Sequence, residues 1–265
     1  DGLYLGDYES STCYHQLKKR GITHIVTVAD FIKPVFPEHF QYIHIDIQDM
    51  HGSDLISHFD TLCDWIHSSI KSGGAVLVHC FAGVSRSATI VLSYTMKYHN
   101  KTFYEAVEFV RKARPVISPN SGFVQQLKAY EEMKCTLDKE HKIYKQLMLR
   151  GKLQRLEEYW DDTGLCLEAE THSNPDSTTP QTFFCDSCNH PLFALTSIVH
   201  YKGESCQYIY TMPIQWMQPT INQSSISGTF SCPQCHKKLG EYCWKASSSA
   251  NCSCSTQIAP AFRFY

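Results

Sequence analysis

The chain has 265 residues, 43% of them apolar, a length that fits one large domain or two ordinary ones and excludes a disordered or fibrous protein. A net charge of -2 argues against a strongly basic nucleic-acid binder, and no apolar run approaches the ~18 residues of a membrane span. The 13 cysteines are unevenly placed: Cys13, Cys63, Cys80 and Cys135 fall in residues 1–150, and nine follow, so two domains of different chemistry are expected. An odd total with pairs two residues apart fits metal ligation better than disulfides, and no signal-peptide pattern is present, which points to a reducing compartment.

In chain order, the start Asp1-Gly2-Leu3-Tyr4-Leu5-Gly6 lacks a methionine and already reads as a strand, as expected of a trimmed chain whose native N-terminus is missing. Apolar, β-branched runs at 22–28, 42–47 and 75–78 predict further strands. Residues 54–72 place Leu55, Ile56, Phe59, Leu62, Cys63, Ile66 and Ile70 on one helical face, with Gly73-Gly74 as the stop. Residues 88–98 read as an apolar helix, and Thr102 with Glu105 forms a capping box for another, ended by Pro115. Such alternation predicts an α/β fold: a mostly parallel sheet with helices on both faces. Residues 157–176 carry seven acids and no Lys or Arg and run into a Pro-bounded Ser/Thr stretch, which reads as a linker. The expected organisation is 1–160 for the α/β domain, 161–181 for the linker, and 182–265 for a small β-rich domain.

Chemistry concentrates where the strand 75–78 runs into His79-Cys80-Phe81-Ala82-Gly83-Val84-Ser85-Arg86-Ser87 and straight into a helix. A strand, a tight loop and a helix N-terminus make an anion cradle, because backbone N–H groups converge on one point and the helix dipole adds positive charge. Cys80 starts that cradle, where the same field favours the nucleophilic thiolate, and the planar fork of Arg86 is spaced to grip two phosphate oxygens.

This Cys-x5-Arg string resembles the signature of the cysteine-dependent protein tyrosine phosphatases, and it matches the dual-specificity branch at His79, Cys80, Gly83, Ser85, Arg86 and Ser87. The resemblance implies that Cys80 is the nucleophile, forming a phosphocysteine, and that the loop from His79 through Phe81, Ala82, Gly83, Val84 and Ser85 to Arg86 binds phosphate. It also implies that Ser87 hydrogen-bonds the leaving thiolate and that no cofactor is needed for catalysis. A general acid should come from residues 46–54, between a strand and the next helix. The family pattern aligns that acid on Asp49, with Asp54 at the helix N-cap and Asp46 as a rival that alternation marks as a strand end. The segment from Arg114-Pro115 to Gln126-Leu127 resembles the family region in which an Asn buttresses the loop, which is Asn120 here; a plain helix cap is the other reading. Family lipid phosphatases carry lysines in the loop, so Phe81, Ala82, Val84 and Ser85 disfavour phosphoinositides; RNA triphosphatases of the family carry an Asn before the Arg and a Thr after it, so Ser85 and Ser87 point to phosphoprotein substrates.

In the tail, Cys185/Cys188 and Cys232/Cys235 are two knuckles with zinc-ligand spacing, and His200, Cys206, Cys252 and Cys254 are four more candidates. Together they suffice for two structural zinc ions, and an iron–sulfur cluster is the other four-thiolate reading. Either the knuckles share one ion and the remaining pairs the second, or the pairs interleave. His190 and His236 are fallback ligands, Cys243 reads as a core residue, and Cys166 falls in the linker. The knuckles, Met212-Pro213-Ile214-Gln215-Trp216-Met217 and Cys252-Ser253-Cys254 resemble the zinc-binding domain of the dual-specificity phosphatase 12 (Yvh-type) family. That resemblance implies hydrolysis of phosphotyrosine and phosphoserine/phosphothreonine by a monomeric protein of nucleus and cytoplasm. It also implies a tail that associates with the pre-60S ribosomal particle; the alternative is mainly a non-catalytic assembly factor acting through that tail.

Overall fold

A computed structural model describes residues 2–148, 182–201, 205–221, 225, 227–244, 252–255, 258 and 261–265, and the expected linker at 161–181, with Cys166, lies outside the described residues. The chain divides into two units, Asp1–Asp138 and Lys139–Tyr265, so that residues 139–148 fall in the second.

The first unit runs β1 (Leu3–Gly6), α1 (Tyr8–Thr12), α2 (Tyr14–Lys19), β2 (Ile22–Val28), β3 (Gln41–Ile45), α3 (Phe59–Lys71), β4 (Ala75–His79), α4 (Arg86–His99), α5 (Phe103–Ala113) and α6 (Ser121–Glu132). Its sheet has the order β1-β4-β2-β3, and every pair is parallel. In β4 the consecutive residues Val76, Leu77 and Val78 are all buried. Successive strand residues face opposite sides, so both faces of the sheet are covered, as a parallel sheet requires. Leu55, Ile56, Phe59, Leu62, Cys63 and Ile66 are fully buried, each large aliphatic or aromatic one contributing roughly 1.5–3 kcal/mol.

Two boundaries differ from the sequence expectation. The strand expected at 42–47 ends at Ile45, and the helix expected from residue 54 begins at Phe59 after a single 3-10 turn, Ile56–His58. Gln126 ties this turn to α6: its Oε1 accepts from the backbone N of Leu55 and Ile56 at 2.8 and 2.7 Å, and its Nε2 donates to Ser53 O at 2.7 Å. Asp54 caps that turn, accepting from Ser57 N and Ser57 Oγ. The Thr102/Glu105 capping box is present at α5, and Asn120 caps α6 by accepting from Phe123 N at 2.9 Å.

The second unit is antiparallel. β5 (Thr182–Phe184) pairs with β6 (Pro191–Ala194), and β7 (Ile198–His200), β8 (Ile209–Thr211), β9 (Ser227–Ser231), β10 (Lys238–Cys243) and β11 (Ala261–Phe264) form a sheet of order β7-β8-β11-β10-β9. Its apolar residues gather in two clusters. One, around Phe193, Phe230, Tyr242 and Phe264, includes Cys185 and Cys232. The other, around Val199, Tyr210 and Met212, includes Cys206 and Cys252. Cys243 is buried at the end of β10.

Candidate active site and metal centres

The loop between β4 and α4 is shaped by what its carbonyls bond outward. Phe81 O accepts from Tyr8 N at 3.0 Å, Val84 O from Ser118 N at 2.9 Å and Ser85 O from Thr89 N at 2.9 Å. Arg114 takes the two between them, its Nε donating to Gly83 O at 2.9 Å and its Nη2 to Ala82 O at 3.3 Å, while Asp7 pairs with that Nη2 at 3.2 Å. Because peptide groups are planar, with N–H opposed to C=O, turning the carbonyls out aims the N–H groups at the centre. Gly83 permits the turn: its φ is +67°, and a Cβ there would lie 2.6 Å from Gly6 O.

At the centre sits Cys80, 1% exposed, whose Sγ accepts from Gly83 N at 3.3 Å and from Ser87 Oγ at 3.1 Å. His79 is buried beneath it, with Nε2 2.8 Å from Thr27 Oγ1 and Nδ1 3.3 Å from Cys80 O. Burial pushes the His79 imidazole down to about 4, against a smaller upward pull from its bond to Cys80. Ser85 occupies the N-cap of α4 without making a cap bond. Its hydroxyl instead donates to Asp49 Oδ1 at 2.6 Å and accepts from Asn120 N at 3.1 Å, so no side chain caps the N–H groups that open the helix. Phe81, 67% exposed, and the exposed Ala82 form the outer lip of the loop, with Val84 half-buried.

Arg86 is buried at 7% exposure. Its Nη1 donates to Asp30 Oδ1 at 2.8 Å and to Ile47 O at 3.0 Å. Its Nε is buried with no hydrogen-bond partner, the nearest carboxylate oxygen, Asp49 Oδ2, lying 3.7 Å away. A buried unpaired guanidinium nitrogen costs roughly 1–3 kcal/mol, so this edge of Arg86 is set for an anion. Asp49 Oδ1 also accepts from Asn120 Nδ2 at 2.8 Å, so Asn120 both caps α6 and holds the Asp49 carboxylate. The rival Asp46 follows β3 directly and is exposed.

Cys80, Arg86, Ser87, Asp49 and Asn120 are thus brought to one point at the carboxyl ends of β2, β3 and β4. Sequence reasoning missed Asp30, Asp7 and the role of Arg114. Asp30 carries no local pattern, and only the parallel register, Val28 beside Ile45, sets it next to Ile47.

In the second unit the ligand candidates form two sets, Cys185/Cys188/Cys232/Cys235 and His200/Cys206/Cys252/Cys254, the donor atoms of each lying within 4.8 Å of one another. The two knuckles therefore share one site, and the interleaved alternative is not what the fold brings together. Among the described residues, His190 and His236 belong to neither set. Cys185 Sγ to Cys235 Sγ is 3.7 Å and Cys188 Sγ to Cys232 Sγ is 3.6 Å. A tetrahedral ion with Zn–S of about 2.3 Å requires edges of about 3.8 Å. In the other set His200 Nε2 lies 3.2 Å from Cys254 Sγ and 3.5 Å from Cys206 Sγ. Both donor sets fit zinc, which would supply structure here and no chemistry.

The dual specificity phosphatase catalytic-domain profile matches residues 3–133. Across the whole chain, 30% of residues are identical to mouse (Mus musculus) dual specificity protein phosphatase 12, over 100% of this chain and 85% of that protein. Identity to the fission yeast (Schizosaccharomyces pombe) tyrosine-protein phosphatase yvh1 is 27%, over 98% of this chain and 79% of that one. The crystal structure of the Yvh1 phosphatase domain from Chaetomium thermophilum is similar at 32% identity over 52% of this chain and 95% of that one, with a TM-score of 0.48.

Proposed function

The chain belongs to the dual specificity phosphatase family that contains phosphatase 12 and the Yvh1 enzymes, and on that premise we propose that it hydrolyses phosphotyrosine and phosphoserine/phosphothreonine in proteins through a phosphocysteine. The observation that carries the reading is the buried, unpartnered Arg86 Nε beside a loop whose carbonyls are bonded outward and whose Gly83 N donates to Cys80 Sγ. The dianionic phosphoryl group binds Arg86 and the loop amides. Cys80 Sγ attacks phosphorus in line, the P–O bond to the protein side chain breaks, and Asp49 hands a proton to the departing oxygen. Water then attacks the phosphocysteine with Asp49 accepting its proton. The S–P bond breaks, and the Ser87 hydroxyl, 3.1 Å from Cys80 Sγ, stabilises the released thiolate.

Turnover of an aryl phosphate by the purified full chain tests this. Cys80→Ser should abolish turnover while phosphate still binds, and Asp49→Ala should lower kcat by about 10²-fold or more. Unchanged turnover in either variant would refute the assignment.

For the second unit, the likeness of its knuckles and the segment from Met212 to the Yvh-type zinc domain supports a second role, association with the pre-60S particle by a chain of nucleus and cytoplasm. Co-sedimentation of the full chain with pre-60S particles, lost on Cys232→Ser and kept on Cys80→Ser, is the expected result. Sedimentation indifferent to Cys232 would overturn it.

A further inference from the structure

Arg86 presents two edges, and the fold treats them differently. Nη1 has two fixed acceptors, Asp30 Oδ1 at 2.8 Å and Ile47 O at 3.0 Å. Nε has none. Ile47 O also accepts from the backbone N of Asp30 at 3.2 Å, and Ala29 N donates to Ile45 O at 3.1 Å. Asp30 is therefore held by continuation of the β2–β3 pairing past the ends of both strands, and its carboxylate is anchored before any ligand arrives. The Asp30 side chain is only 25% exposed and that of Arg86 9%. No acid of the catalytic loop itself is available for this task, since the positions between Cys80 and Arg86 are Phe81, Ala82, Gly83, Val84 and Ser85.

Resting on the phosphatase reading, we infer that Asp30 is a positioning residue that occupies the Nη1 edge of Arg86 permanently, so that the Nε edge faces the substrate phosphoryl group. The two carboxylates near Arg86 then divide their tasks. Asp49, whose Oδ2 stands 3.7 Å from Nε, yields that edge when phosphate enters and is left to move the proton. Asp30 stays bonded throughout. Without it Nη1 keeps only the neutral Ile47 carbonyl, and the guanidinium can swing towards Asp49, tying up the acid and misaligning the oxyanion fork.

The test uses the full chain with Asp30→Asn, which keeps the shape and one acceptor oxygen, and Asp30→Ala. The readouts are kcat and KM for an aryl phosphate across pH, and inhibition by vanadate. Asp30→Ala should weaken vanadate inhibition and lower kcat/KM by about 10- to 100-fold, with Asp30→Asn recovering most of it. The limb of the pH–rate profile that Asp49→Ala removes should persist in both. Wild-type vanadate affinity and kcat/KM in Asp30→Ala would overturn the inference. So would loss of the Asp49 limb, which would make Asp30 part of the proton path. If Asp30→Ala does not fold, Asp30→Asn carries the test: its smaller effect, about two- to fivefold, should fall on vanadate affinity and KM more than on kcat, and wild-type values of both vanadate affinity and KM would overturn the role. Failure of the phosphatase reading is distinguishable, because it appears in the unsubstituted chain as turnover insensitive to Cys80→Ser.

Discussion

The buried imidazole under the catalytic loop makes the first unit acid-sensitive by a calculable amount. His79 is 2% exposed, and burial lowers it from 6.5 to about 4. Above pH 6.5 the ring is neutral folded and unfolded, so this linkage costs nothing. Below pH 6.5 the unfolded chain takes up a proton that the folded chain refuses until about pH 4, so stability falls as pH drops through that window. At 1.36 kcal/mol per unit, the loss is about 2 kcal/mol by pH 5 and about 3 kcal/mol by pH 4. His79→Gln offers an amide to Thr27 and cannot be protonated. It should be less stable than the parent chain at pH 8, but the gap should narrow by about 2 kcal/mol at pH 5. A urea titration read by peroxide oxidation of Met96, 2% exposed on α4, reports on this unit alone. A gap that is constant or widens on acidification would refute the reasoning.

Two further outcomes are expected. A Cβ at Gly122 would lie 1.9 Å from His51 O, inside the loop that carries Asp49, so Gly122→Ala should lower kcat by about 10-fold or more while vanadate inhibition stays within about threefold. An unchanged kcat would show that this contact does not place the acid. Zinc analysis of the purified chain should give two ions, falling to one in Cys188→Ser and to one in Cys254→Ser, because the ligand sets are separate. Loss of both ions from either single substitution would contradict independent centres.

Much of the fold was legible where the signal is local. β2 begins and ends where its β-branched run does, and the capping box at Thr102 starts α5. For Asn120 the sequence leaves two readings, a buttress of the catalytic loop or a helix cap; in the structure it caps α6 and its amide bonds Asp49, a contact the local sequence does not show. What failed was set by distant partners. The entry into the helix after Asp54 is held by Gln126, some seventy residues on, which accepts from its first free backbone donors. Arg114 precedes Pro115 at the end of α5, and its hold on Ala82 O and Gly83 O depends on where α5 ends relative to the loop.

The candidate chemistry is legible locally: a cysteine and an arginine six residues apart between strand and helix, and cysteine pairs at metal spacing. Those are short-range facts, and the strand, the loop and the knuckle turn impose their geometry within a few residues. Only the tertiary structure decided which groups meet. Parallel register puts Asp30 against Arg86, Asn120 at the start of α6 holds Asp49, apolar packing of the β5–β6 hairpin against β9 and β10 unites the two knuckles, and the β7-β8-β11 order gathers His200 with Cys206, Cys252 and Cys254. The physical reason is that pairing across a sheet depends on strand order and register, and neither is written in the residues that flank a single site.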